Sequence, residues 1–391
     1  MRGRGVKFVF VSLAVLAGAF MSISNTSRLG ALPKVSFDKE QPSRAGSYRA
    51  LQPIKSGDLT IFPVVRNSES LRPAGWQYLT LDEGLKSGEV VVTEAGRVRG
   101  LIRNRRPGAW YPPESGDQVN QLVLLNNSLK PLVLLAGEIV TGGKQDRVIA
   151  KDRIVPPKSD PIDLSVFCIE PGRWVQTSDQ FGAAGKGNSS FMVQPAVRKE
   201  AMVGRDQQKV WNAVNGAIGG LVVAAPGASF GGPATTSYAR TMQEDEVQRK
   251  VDEAGENLLE SREQILEKLR QEHAIGVVVA IRGEIVWADV FADSDLLAKY
   301  WTKLIRSYAA EALTSGWQHD SNATQEDAQH FLDEASSGHE TSDGEVGVYR
   351  YSETHAGNVA SFVLRVLLPG TDFDVHTSKT RVEATQMGSV R

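Results

Sequence analysis

The chain has 391 residues, 41% hydrophobic and 23% charged, a balance that excludes wholesale disorder and a multi-span membrane protein. Its 44 Lys and Arg against 46 Asp and Glu give a net charge of −2, so no global field draws it to nucleic acid or anionic lipid. A single cysteine, Cys168, excludes an intrachain disulfide framework and any cysteine-rich metal site.

The N-terminus reads as an export signal. Arg2, Arg4 and Lys7 make a positive start, Phe8 to Met21 is an apolar run, and Ser22-Ile23-Ser24 supplies a small-x-small cleavage site. The run falls short of the roughly 20 apolar residues of a spanning helix, which favours a cleaved signal over a retained anchor. Removing residues 1–24 takes away three positive charges, so the charge becomes −2 − 3 = −5. The expected location is periplasmic or secreted, with the membrane met only through this signal. Residues 25–47, rich in Ser, Arg, Gly and Pro, read as a flexible tether.

Strand character begins at Leu59 to Val65. Thr80-Leu81-Asp82-Glu83 is a capping box that starts a short helix, and Gly88 stops it. Glu89 to Glu94 resumes as a strand. Gln121 to Leu125 and Pro131 to Val140, around the polar Asn126-Asn127-Ser128, read as a hairpin. Gly142-Gly143 turns the chain into Gln145 to Ile149, and Ile162 to Ile169 is a further strand ended by Pro171-Gly172. Strands this close together predict a β-rich, antiparallel part over 48–215. Glycines at 216, 219, 220, 227, 231 and 232 then predict a linker or insertion over 216–243. No Gly-Lys-Ser/Thr follows them, which argues against a phosphate-cradling loop.

Over 244–273 a long amphipathic helix is expected, with Val247, Val251, Ala254, Leu258, Ile265 and Leu269 on one stripe. The stripe suits packing on its own domain; the alternative is a coiled-coil seam that makes a homo-oligomer. Residues 274–391 read as an α/β part. Gly276 to Ile281 and Glu284 to Phe291 form a hairpin around Arg282-Gly283. A helix capped by Ser294 follows, with Tyr300, Trp301, Leu304 and Tyr308 on its apolar face. Residues 307–349, without Lys or Arg before Arg350, read as an acidic solvated loop. Val359 to Leu368 is the closing strand, and the tail after Thr377 reads as frayed.

The densest polar motif runs from Gly137-Glu138 through Thr141-Gly142-Gly143 to Lys144-Gln145-Asp146-Arg147. Paired glycines let backbone N–H groups converge on an anion, and Lys144 or Arg147 adds charge-assisted contacts. A tight hairpin with a salt-bridged rim explains the same residues without a ligand. In Cys168-Ile169-Glu170-Pro171-Gly172-Arg173-Trp174, strand parity puts Cys168 on the stripe of Ile162, Leu164 and Val166, which favours a core thiol over a nucleophile. Glu170 is expected to pair with Arg173. Arg97, Arg99, Arg103, Arg105 and Arg106, followed by Trp110 and Tyr111, form a loop-like basic run. The histidines at 273, 319, 330, 339, 355 and 376 match no metal-ligand spacing, so no metal and no cofactor are expected.

At Gly137-Glu138, Lys144 to Arg147 and Cys168 to Trp174, the sequence resembles a bacterial domain family named for its association with ADP-ribosylglycohydrolase and rhodanese-phosphatase superfamily proteins. The resemblance continues through Gly276 to Ala280, Trp287 to Phe291, Trp301 and Ser307-Tyr308, over about residues 50–315. The family carries no established reaction; its name implies a link to ADP-ribose or nucleotide metabolism.

These readings give an α+β fold: a β-rich antiparallel part over 48–215, a linker, a long helix, and an α/β part over 274–391. The expected function is an exported ligand-binding or interaction domain, with a polar site of Glu138, Lys144, Gln145, Arg147, Glu170, Arg173 and Trp174. Its expected partner is an anionic small molecule, not nucleic acid. The rival is a hydrolase of an ADP-ribose-like or phosphorylated small molecule with Glu138 or Glu170 as acid/base; a third reading is a coiled-coil envelope assembly protein.

Overall fold

The computed structural model describes residues 46–67, 77–95, 122–173, 175, 177–185, 190–229, 235–316, 322–334 and 338–382. All lie within one compact unit, residues 35–391. The segments expected to be an export signal and, nearly all of it, a tether, the arginine run with Trp110 and Tyr111, and Trp174 lie outside the described residues.

β1 (Tyr48–Ala50) and β2 (Ile54–Ser56) both pair with β3 (Leu59–Arg66). β4 (Leu79–Thr80) runs into α1 (Leu81–Ser87), whose Thr80–Glu83 capping box and Gly88 stop at φ 69° form where the sequence predicts them. β5 (Val90–Glu94) pairs with β6 (Leu122–Asn126). The expected hairpin after β6 does not form: β7 (Leu132–Leu134) leaves for another sheet. The Asn126 amide holds the departing chain, donating to Lys130 O at 2.9 Å and Pro156 O at 3.1 Å. β8 (Ile139–Thr141) and β9 (Arg147–Ile149) are the expected hairpin, and β10 (Arg153–Val155) returns to β7. The single strand expected over 162–169 is divided at Ser165 into β11 (Ile162–Leu164) and β12 (Val166–Cys168), each with its own partner; β13 (Gln180–Ala183) follows.

Helices then cover the strands: α2 (Pro195–Lys199), α3 (Gln207–Ala224), α4 (Tyr238–Gln243), α5 (Asp245–Ala254), α6 (Glu256–Leu259) and α7 (Arg262–Gln271). Gly216, Gly219 and Gly220, read as a linker, lie inside α3. Packing outweighs their poor propensity: a Cβ on Gly220 would sit 2.7 Å from Thr314 Cβ, so glycine is what lets two helices touch. The long helix expected over 244–273 is broken at Gly255 and Ser261. The breaks wrap its stripe around the next helix, leaving Val247, Val251, Leu258 and Leu269 buried in the protein's own core. β14 (Ala274–Ile281) and β15 (Glu284–Phe291) form the expected hairpin, with Arg282 at φ 49° and Gly283 at φ 84°.

α8 (Ser294–Thr314) is capped by Asp293, whose carboxylate accepts Leu296 N, and not by Ser294. The segment read as an acidic loop holds the end of α8, α9 (Gln325–Asp333) and β16 (His339–Glu345). Its acids cap helices, as Asp327 does with Thr324, or accept buried donors, as Glu311 does from Ala196 N at 3.0 Å. β17 (Tyr349–Ala356), β18 (Val359–Val366) and β19 (Phe373–Arg381) complete the chain. β19 is no frayed tail: it lies between β15 and β18, with Asp289 opposite Ser378 and Trp287 opposite Thr380.

Among the described residues the strands form three sheets. The largest runs β1-β3-β14-β15-β19-β18-β17-β16, so the N-terminal strands and the C-terminal part share one antiparallel sheet. The smallest runs β10-β7-β4. The third runs β11-β6-β5-β13-β8-β9-β12. The fold is α+β, with a β-rich N-terminal part.

Candidate functional site

The third sheet closes on itself. Its two outermost strands, β11 and β12, are separated in the chain by Ser165 alone, so one continuous stretch pairs with β6 along one half and with β9 along the other. Closure makes a small barrel packed with Val90, Val92, Leu122, Leu124, Val140 and Phe181. Side chains alternate along each strand, so Glu94 follows Val90 and Val92 inward, and Arg147 shares the inward face of Ile149. Both stand at one end of the barrel, where β5 finishes, β9 begins and β12 finishes at Cys168, opposite Arg147.

The β8–β9 turn shapes this end. Gly142 and Gly143 adopt φ of 136° and 53°, and a Cβ on Gly143 would strike the Phe181 ring and come within 3.2 Å of Glu94 Oε1. Gln145, in the turn two residues before Arg147, is fully buried, and neither its amide nitrogen nor its amide oxygen has a hydrogen-bond partner. Both carboxylate oxygens of Glu94 are likewise buried and unpaired. Arg147, 1% exposed, donates from Nη1 to Gln145 O at 2.6 Å. Burial lowers its pKa, opposed by the negative fields of Glu94 and Asp146. Burial pushes the Cys168 thiol up against the pull of Arg147, which keeps it protonated and a poor nucleophile.

Asp146 points the other way. It accepts Gly142 N at 3.0 Å and the Ser237 hydroxyl at 3.1 Å, and burial, then Glu170, raise its pKa. Arg173 clamps the turn from outside: Nε donates to Glu170 at 2.5 Å, Nη2 to Asp146 at 3.2 Å, and Nη1 to Gly143 O at 2.9 Å. Thr177 N adds a bond to Gly143 O at 2.9 Å. Lys144 sits half-buried at the same turn.

Glu138 is elsewhere. It lies at the far end of the hairpin, fully buried, accepting Leu135 N at 2.8 Å and pairing with Lys303 Nζ at 2.6 Å; Lys303 also reaches Asp82 at 2.7 Å. Burial pushes the Glu138 carboxyl up while Lys303 pulls it down. Of the residues proposed from sequence, Lys144, Gln145, Arg147, Glu170 and Arg173 therefore gather at one barrel end, and Glu138 does not join them.

Sequence reasoning missed Glu94, although an acid continuing the inward alternation of Val90 and Val92 marks it. It also missed a buried polar chain beneath α8. His376 joins Asp152 at 2.6 Å and Asp289 at 3.0 Å, and Arg198 grips Asp289 with two bonds of 2.8 and 2.9 Å. The Tyr308 hydroxyl donates to the same carboxylate, and Trp287 lies under the guanidinium at 4.6 Å. Asp289, set inside the apolar run Val286 to Phe291, is the one signal the sequence offered. Among the described residues no three His, Cys, Asp or Glu converge to hold a metal ion.

A closed β-barrel joined to a large helix-covered sheet, with buried polar side chains at one barrel end, defines an α+β domain. The profile of the ARG and Rhodanese-Phosphatase-superfamily-associated Protein domain matches residues 47–379, and the chain belongs to that family. No curated protein and no solved structure matches it.

Proposed function

We propose that the protein is a non-catalytic ligand-binding domain that takes a small molecule at the barrel end, between Glu94, Gln145 and Arg147. One observation carries this reading: four buried side-chain atoms lack partners, the amide pair of Gln145 in the β8–β9 turn and the two oxygens of Glu94, one of which lies beside Gly143 of that turn. Native proteins rarely leave such atoms unpaired, because each costs about 1–3 kcal/mol. A ligand satisfies them.

A hydrolytic role gains little from the geometry. Glu138 and Glu170, the candidate acids, lie at opposite ends of the β8–β9 hairpin, each in an ion pair. The positive start and apolar run of residues 1–24, read as an export signal, support an exported domain. The family's name makes ADP-ribose and nucleotides the first compounds to try.

A thermal-shift screen of nucleotides, nucleosides, ADP-ribose and sugar phosphates tests the proposal. A ligand at 100 times its Kd adds about 2.7 kcal/mol of stability. We expect a shift in the wild type that Gln145→Leu abolishes, while the variant alone melts no lower, since leucine removes two unpaired atoms at similar volume. A screen without any shift overturns the reading.

A further inference from the structure

The largest sheet is sealed at one end and open at the other. At the first end, helices cap the main chain of the outer strands. Gln329 of α9 accepts Ala50 N at 2.9 Å and donates to Tyr48 O at 3.0 Å. Gln325 donates to Ala50 O at 2.7 Å, and Asn257 of α6 donates to Lys55 O at 3.4 Å. At the other end stands β16. Among the described residues, its main chain is hydrogen-bonded by β17 and their shared turn alone. His339, Glu340 and Thr341 are exposed. The usual guards of such an edge are missing. The register with β17 runs from His339 to Glu345 without a bulge, and the strand holds no proline and no lysine. An open row of N–H and C=O groups is a template for a further strand.

Independently of the barrel end, we propose that this strand is β16 of a second copy, paired antiparallel about a twofold axis through Ser342. Two large sheets then become one. Self-pairing over all seven residues has a single centre, Ser342. His339 faces the partner's Glu345, Glu340 faces the partner's Gly344, and Thr341 faces the partner's Asp343, so no acid meets an acid. A register one residue off in either direction sets Glu340 against Asp343 or Glu345. Two of the three acids are also neutralised within each copy, Asp343 by Lys151 at 2.7 Å and Glu345 by Arg153 at 3.3 Å. One strand pair lies at the small end of specific interfaces, so the dimer should be reversible.

Sedimentation velocity of the full chain over a wide concentration range tests this. Wild type should sediment as a monomer when dilute and as a dimer as concentration nears about 1 mM. Ser342→Glu puts two carboxylates on the axis, on the same face as Glu340 of each copy, and should weaken the dimer about fivefold or more. The Ser342 side chain is half-buried and makes no hydrogen bond among the described residues, so the variant should melt like wild type. An equimolar mixture of Ser342→Glu and Ser342→Lys should recover the dimer, because the axis then holds opposite charges; recovery also shows that both variants fold. A wild type that stays monomeric up to about 1 mM refutes the pairing and leaves the edge to a strand of another protein. A dimer that Ser342→Glu leaves intact refutes it and places assembly on another surface. A mixture that fails to recover the dimer refutes the twofold axis at Ser342.

Discussion

His376 lies at the centre of a polar chain without solvent contact, and its charge state controls how that chain contributes to stability. Burial alone would lower its pKa, but Asp152 and Asp289 outweigh burial and push the imidazole from 6.5 up to about 9. Charged, both ring nitrogens donate, one to each carboxylate. The native state therefore holds this proton more tightly than the unfolded chain does. Its contribution is whole below pH 6.5 and fades as pH rises through about 9. At about 1.4 kcal/mol per pH unit, the interval corresponds to about 3 kcal/mol. Lys379 acts in the opposite sense, since burial lowers its pKa from 10.5 to about 8 and its deprotonation favours the fold above that. Urea unfolding of wild type and His376→Gln at pH 6 and pH 9.5 separates the two, because Lys379 is common to both proteins. Wild type should exceed the variant by about 3 kcal/mol at pH 6 and approach it at pH 9.5. Parallel stability curves across that range would refute a charged His376.

Arg173→Ala leaves Glu170 and Asp146, both nearly out of solvent, without their shared counter-charge. We expect a loss of about 2–3 kcal/mol by chemical denaturation, below the full cost of breaking a buried pair because Arg173 keeps some exposure; a variant that melts like wild type contradicts the clamp. Val251, 1% exposed, packs in the helical core of Val214, Ala217 and Ala309, so Val251→Ser should cost roughly 2–3 kcal/mol at any protein concentration. Assembly seen by sedimentation that depends on concentration and disappears in that variant would instead make the stripe an intermolecular seam.

The local instructions were legible. Thr80 and Glu83 announce their capping box, Arg282-Gly283 its tight turn, and Gly142-Gly143 the hairpin that shapes the site, because each depends on neighbours in the chain. Pairings across distance were not. Nothing near Leu132 indicates that β7 must turn from β6 toward β4 and β10, and nothing near His376 indicates two carboxylates waiting for it. Glycine misled for a related reason: its cost is local and visible, while the close approach it allows at Gly220 depends on Thr314, far along the chain. At the site, the β8–β9 residues could be found from their clustering, whereas Glu94 reaches them only through barrel closure.

The shared sheet has a consequence for synthesis. The barrel strands all fall between Val90 and Ala183, so the barrel can close while the rest of the chain is still being made. β3 cannot be completed so early. Its partner β14 starts at Ala274, and β15 waits in turn for β19 at Phe373–Arg381. Until then the apolar run Leu59 to Val65 presents an unpaired edge, the kind of surface that recruits strands from other chains. Such late, long-range pairing also slows folding. A chain truncated before Phe373 thus loses an interior strand together with His376, and the edges left open on β15 and β18 become sites for aggregation.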